Sequence, residues 1–170
     1  MKTLKIIAAA ASLLLLAAAP AWAQTAKAAL KSTDGKDVGT VELTQTPAGV
    51  LLKVSVKGLP AGEHAFHVHA VGKCEPPFDS AGGHFNPGGK KHGLMAPDGH
   101  HAGDMPNLYV PESGELVVEL LNPAVTLERG KAQSVFGPNG TAIVIHAGVD
   151  DYKTDPAGNA GGRIACGVIM

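Results

Sequence analysis

Short runs of alternating apolar and polar residues dominate the chain at 28–31, 38–46, 50–56 and 64–70, apolar-rich runs follow at 116–121 and 141–146, and a last apolar run closes it at 164–170. Alternation with a period of two puts one set of side chains on a buried face and the other towards water, which predicts β-strands. Asp34-Gly35 and Pro47-Ala48-Gly49 supply turns between the first three runs. The stretch 108–110 adds an eighth strand if it finds a partner. No segment sustains a helical period. The chain is therefore expected to fold as an all-β antiparallel sandwich or barrel.

Two stretches, 71–106 and 147–162, lack any such pattern. Loops this long without secondary structure of their own are usually functional or disordered. Composition agrees with a loop-rich sheet protein: 22 Gly and 12 Pro in 170 residues disfavour a helical bundle. The length suits a single domain with a real core.

The N-terminus reads differently. Lys2 and Lys5 precede an apolar run over 6–19, and Ala21-Trp22-Ala23 has the small-x-small form of a cleavage site. Residues 1–23 are thus expected to be a secretory signal peptide cut before Gln24, leaving one domain over 24–170. The run is short for a spanning helix and ends at Pro20, so no membrane association is expected after cleavage. No cysteine lies near the cut, which disfavours a lipoprotein. The near-neutral formal charge of −1 offers no bulk attraction for nucleic acid. Cleavage removes two lysines and the lone Trp22, leaving 12 basic against 15 acidic residues. Export also bears on Cys74 and Cys166, the only cysteines: an oxidising compartment favours a bond between them over two free buried thiols.

The chain holds 8 His, and their placement is uneven. His67 and His69 lie two apart within an alternating run, so both rings project to one face while Phe66 and Val68 enter the core. His84, His92, His101 and Asp104 follow on the first long stretch, and three imidazoles with one carboxylate suit tetrahedral zinc. His146 stands at the end of a later strand. Six histidines and an aspartate exceed the ligands of one ion, so two adjacent metals are expected. His67, His69 and His146 with an open position suit copper, which cycles between two oxidation states. Of the remaining histidines, His64 is read as structural, on the same strand and with the same parity as Phe66. His100 is read as solvated beside His101.

The runs Ala65-Phe66-His67-Val68-His69, Ser80-Ala81-Gly82-Gly83-His84-Phe85-Asn86-Pro87, Lys91-His92-Gly93 and Gly158 through Ile169 closely resemble copper/zinc superoxide dismutase. Together with the leader, they resemble its exported bacterial branch, which implies a periplasmic location. The implied fold is an all-β, Greek-key antiparallel β-sandwich or flattened barrel of about eight strands with two long functional loops. The resemblance implies one copper per subunit on His67, His69, His84 and His146. It implies one zinc on His84, His92, His101 and Asp104, with His84 bridging the two. Asp150 matches an outer carboxylate that hydrogen-bonds one copper-ligand and one zinc-ligand histidine. Arg163 matches the cation that receives superoxide, and Cys74–Cys166 an intrasubunit disulfide. The implied reaction converts superoxide to O2 and H2O2 through a Cu(II)/Cu(I) cycle, with His84 taking up and releasing a proton. A copper/zinc carrier on the same fold is the competing reading, but storage has no use for Arg163 or an open copper position.

Two departures from the eukaryotic cytosolic pattern stand out. The 147–162 stretch is shorter and carries Asp150, Asp151, Lys153 and Asp155, so it is not a basic guide for an anion. Lys73, Lys90 or Lys91 is then expected to share steering with Arg163. The insertion Glu75-Pro76-Pro77-Phe78 fits the bacterial branch, where that loop bears on subunit contact, so the only macromolecular partner expected is a second copy of the chain in a homodimer.

Overall fold

The strands form where the alternation puts them. A computed structural model describes residues 24–170; the leader expected over 1–23, and its cleavage, lie outside the described residues. β1 (Thr25–Ser32), β2 (Asp37–Thr46) and β3 (Gly49–Val56) make an antiparallel meander. In register, Ala28 faces Val41, which faces Val54, and all three are fully buried. β4 (Gly62–His64) and β5 (Phe66–His69) come next, then β6 (Leu108–Val110), β7 (Leu116–Asn122), β8 (Ala142–His146) and β9 (Arg163–Val168). The strand order is β5-β8-β9-β1-β2-β3-β7 in one antiparallel sheet, with β4-β6 as a second pair. The chain is therefore an all-β, Greek-key sandwich, curled so that inward residues of every strand but β4 share one core.

Two features differ from the sequence expectation. The run at 64–70 is not one strand but two, because Ala65 steps the chain from one partner to another: β4 pairs with β6, β5 with β8. Ala65 itself donates to Gly148 O and accepts from His146 N, so the step is fully hydrogen-bonded. His64 thus sits on a different strand from His67 and His69. The second difference is a third long connection, residues 123–141, which sends Val125, Leu127 and Val135 into the core. Gln45 of β2 holds it: its Oε1 accepts from Thr126 Oγ1 at 2.9 Å and Leu127 N at 2.7 Å. Its polar composition hid those inward contacts.

β8 is buried on both faces, which explains its unbroken apolar sequence. Ile143 and Ile145 point into the main core, whereas Ala142 and Val144 pack under the 70–107 connection with Phe78, Ala81 and Cys166. The Cys74–Cys166 disulfide, with Cα atoms 5.6 Å apart, pins that connection to β9. A register shift between Ile145 and His146 sets His146 opposite Arg163. Such a bulge re-aims side chains at a strand end.

Candidate metal centre

β5 presents His67 and His69 to the face opposite Phe66 and Val68, and the 70–107 connection folds over them. The chain is stitched there by backbone bonds: Val68 N donates to Gly103 O, Phe85 N to Val68 O, and Ala70 N to Gly83 O. Gly103 allows this approach, since a Cβ there would overlap Val68 O. The result buries six histidines and two aspartates together.

Two donor groups emerge, each with its atoms within 4.8 Å of one another: His67, His69, His84 and His146, and then His84, His92, His101 and Asp104. In the first, His69 Nε2 and His146 Nε2 lie 3.3 Å apart. In the second, Nδ1 of His84 and of His92 approach Asp104 Oδ1 to 2.9 and 3.0 Å, and Nδ1 of His101 approaches it to 3.4 Å. The other Asp104 oxygen accepts from Gly93 N and His101 N. One carboxylate oxygen is thus fixed by the backbone and the other faces the histidines.

The outer hydrogen bonds choose which ring nitrogen is free. His67 Nε2–H donates to Asp150 Oδ2 at 2.7 Å, leaving Nδ1 inward. His92 Nε2–H donates to Asp150 Oδ1 at 2.9 Å. His69 and His146 instead donate from Nδ1, to Gly82 O at 2.9 Å and Gly161 O at 3.3 Å, leaving Nε2 inward. Such outer contacts fix tautomer and ring orientation. Asp150, His67 and His92 also form a close trio, but both carboxylate oxygens are already taken by ring N–H groups, so Asp150 links the two groups rather than opening a third.

Two buried nitrogens, His67 Nδ1 and His84 Nε2, have no hydrogen-bond partner among the described residues. An unpaired buried polar atom is costly, and both point into the first donor group. A cation there would satisfy them. The donor chemistry fits: an all-imidazole set for copper, and three imidazoles with a carboxylate for zinc.

The electrostatics agree. Burial pushes His67 down to about 4 and His146 to about 3, and takes His69 well below its ordinary value, so these rings are neutral with lone pairs available. Burial lowers His101 as well. His92 goes the other way: burial opposes its charge, but the carboxylates of Asp104 and Asp150 on its two sides raise it to about 9. Burial also opposes ionisation of those carboxylates, yet hydrogen bonds from His84 and His92 to Asp104, and from His67 and His92 to Asp150, hold both well below the usual carboxylate range. In the second group the ionised Asp104 carboxylate thus faces a His92 that holds a proton at neutral pH, and a metal cation bound there would take that proton's place.

Arg163 is half-buried at the mouth of β9. Its Nη1 donates to Phe78 O at 2.6 Å and its Nη2 to Gly82 O at 2.7 Å, the same carbonyl that holds His69. His64 and His100 join neither donor group. His64 is buried with its ring nitrogens 2.9 Å from Pro60 O and His146 O, and His100 Nδ1 lies 2.7 Å from His101 O. Sequence reasoning missed four contributors. Gly82 lends its carbonyl, Tyr152 accepts Asn107 N on its hydroxyl, and Asp155 accepts His92 N. Gly158 leaves room for Asp150, because at φ +62° a Cβ would overlap Asp150 Oδ1. Gly82 and Gly158 carried a signal, as glycines inside the motif runs that carry the resemblance, whereas Tyr152 and Asp155 carried none.

The family description for copper/zinc superoxide dismutase matches residues 38–169. Cu-Zn superoxide dismutase 2 of Aquifex aeolicus is 57% identical, covering 94% of this chain and 95% of its own. The Cu-Zn superoxide dismutase of Caulobacter vibrioides is 46% identical over 85% of each. Among solved structures, a SOD-like protein from Bacillus subtilis superposes with a TM-score of 0.81 at 39% identity, covering 85% of this chain and 97% of that one.

Proposed function

Since the chain belongs to the copper/zinc superoxide dismutase family, we propose that it dismutates superoxide to O2 and H2O2 with copper on His67, His69, His84 and His146 and zinc on His84, His92, His101 and Asp104. The observation that carries the assignment is His84. Its Nδ1 faces one donor group and its Nε2 the other, and no other described residue claims Nε2. A ring so placed would offer one nitrogen to each ion.

Copper, when bound, supplies the one-electron exchange that zinc lacks. The chain supplies the rest. His67, His69 and His146 are held neutral and aimed by Asp150, Gly82 O and Gly161 O. His84 Nε2 is the atom at which a proton is held and passed on. Arg163 sets a fixed positive charge for a small anion, since two backbone carbonyls orient its guanidinium before substrate arrives. Asp150 keeps the two halves in register through one carboxylate.

The same reading includes export: residues 1–23 act as a cleaved signal peptide, and 24–170 is the mature domain, in the periplasm. The Cys74–Cys166 bond supports an oxidising compartment. A homodimer suits the Glu75–Phe78 insertion.

The test is turnover by protein loaded with both metals, together with its metal count and Cu(II) spectrum, before and after His84→Ala. Superoxide turnover with one copper and one zinc, and a spectrum changed by His84→Ala, is the expected result. Full occupancy without turnover would leave the carrier reading standing instead.

A further inference from the structure

Each ring in the two donor groups except His84, whose two nitrogens both face donor atoms, should need an outer partner on its remaining nitrogen. His67 and His92 use Asp150, His69 uses Gly82 O, and His146 uses Gly161 O. His101 is the exception, with no hydrogen bond on Nε2 among the described residues. The group within ion-pair range of that nitrogen is Asp155, whose Oδ1 lies 3.9 Å away. The same oxygen accepts the backbone N–H of His92 at 2.7 Å. One carboxylate on the 147–162 connection therefore reaches two members of the second donor group, by the backbone of one and the ring of the other.

We propose that Asp155 is a positioning residue for zinc, a second outer carboxylate beside Asp150. It orients His101 so that Nδ1 faces the ion, and it fixes where His92 enters the site. The inference rests on the zinc assignment above. Its neighbour Asp151 offers the contrast. Asp151 accepts from Lys153 N, Thr154 N, Thr154 Oγ1 and Asn159 Nδ2, all within its own connection, and touches no member of either donor group. Asp151 orders the connection; Asp155 joins it to the zinc group. Outer partners of ligand histidines change metal affinity by about 10–100-fold. Asp155 is half exposed, with its side chain at 51%, so solvent screening sets its effect near the lower bound, about tenfold.

The experiment is zinc competition against a chromophoric chelator, with the absorption of Co(II) placed in the zinc site as a second readout. Asp155→Asn keeps an acceptor for His92 N and removes the charge facing His101; Asp151→Ala loosens the connection without touching the site. Asp155→Asn is expected to weaken zinc about tenfold and shift the Co(II) bands, with the Cu(II) spectrum unchanged and Asp155→Glu recovering part of the loss. Asp151→Ala is expected to stay within about twofold of the parent. Equal zinc affinity in Asp155→Asn and parent would overturn the proposal, as would an equal loss in Asp151→Ala. A parent chain that takes up no zinc would sink the site assignment itself, and this inference with it.

Discussion

Gly158→Ala adds one methyl group at the most crowded point of the site. Gly158 has φ +62°, and an ideal Cβ there would overlap Asp150 Oδ1 and stand 2.7 Å from His92 Nε2. Neither neighbour is free to yield, because Asp150 is also bonded to His67, and Tyr152 N donates to its Oδ1 at 2.7 Å. Two costs add. The left-handed backbone costs an L-residue roughly 1–2 kcal/mol. Displacing a buried, charged hydrogen bond costs about 1.5–3 kcal/mol more. Gly35→Ala isolates the first cost, since Gly35 has φ +82° in an open turn with nothing within 4 Å. Denaturant unfolding of the metal-free protein should show Gly158→Ala destabilised by about 3–4 kcal/mol and Gly35→Ala by about 1 kcal/mol. Metal titration should show both ions weakened at Gly158→Ala, because Asp150 serves a ring of each donor group. If the two variants unfold alike and bind metal alike, the idea that Gly158 exists to admit Asp150 is refuted.

Breaking the Cys74–Cys166 bond, which closes a separation of 92 residues, should lower stability by about 4.6 kcal/mol in the chain-entropy account, read as a shift in the denaturant midpoint of Cys74→Ala/Cys166→Ala; a change under about 1 kcal/mol would contradict it. The metal-free protein should lose stability as pH falls from about 6.5 through 4 and 3, because His67 and His146 resist protonation when folded while the unfolded chain takes up those protons. His92 acts in the opposite sense: its raised value favours the fold below pH 6.5, and that contribution disappears as pH rises through about 9. Melting temperature against pH, followed for the parent and His92→Gln, checks both signs, and a flat acid limb would refute the first. Lys73→Ala, Lys90→Ala and Lys91→Ala should reduce the dependence of turnover on ionic strength, as expected of charges that steer an anion; unchanged salt slopes in all three would assign steering to Arg163 alone.

Most of the strand framework was legible because alternation is a local property. The pairs His67/His69 and His101/Asp104 were equally visible, as spacing decides which face or turn a side chain occupies. What escaped depends on the path of the backbone. Ala65 carries no sign that the chain changes partner there, since its two hydrogen bonds run to Gly148 and His146, more than 80 residues away in sequence. Gly82 acts through a carbonyl, which every residue has, so nothing in its identity foretells that His69 and Arg163 will share it. Asp155 looked like one more surface carboxylate in an acidic stretch until folding brought it to His92 and His101. The buried residues of the 123–141 connection, Val125, Leu127 and Val135, follow no strand or helix period, so no local pattern marks them.

β8 belongs to two packing units at once, and that arrangement has a consequence for how the molecule opens. Its inward side chains report to the large core, whereas Ala142 and Val144 report to a small cluster with Phe78, Ala81 and Cys166. The small cluster can come apart while the large one holds, because parts of a fold open with free energies that follow their own buried contacts. Amide protons that tie down the covering segment, such as Val71 N to Ala81 O and Gly82 N to Asp79 O, should therefore exchange with solvent by local opening. Those in the β8–β9 ladder should await global unfolding. Because Phe78 O and Gly82 O belong to the part that opens first, the guanidinium of Arg163 loses its orientation well before the barrel loses its shape.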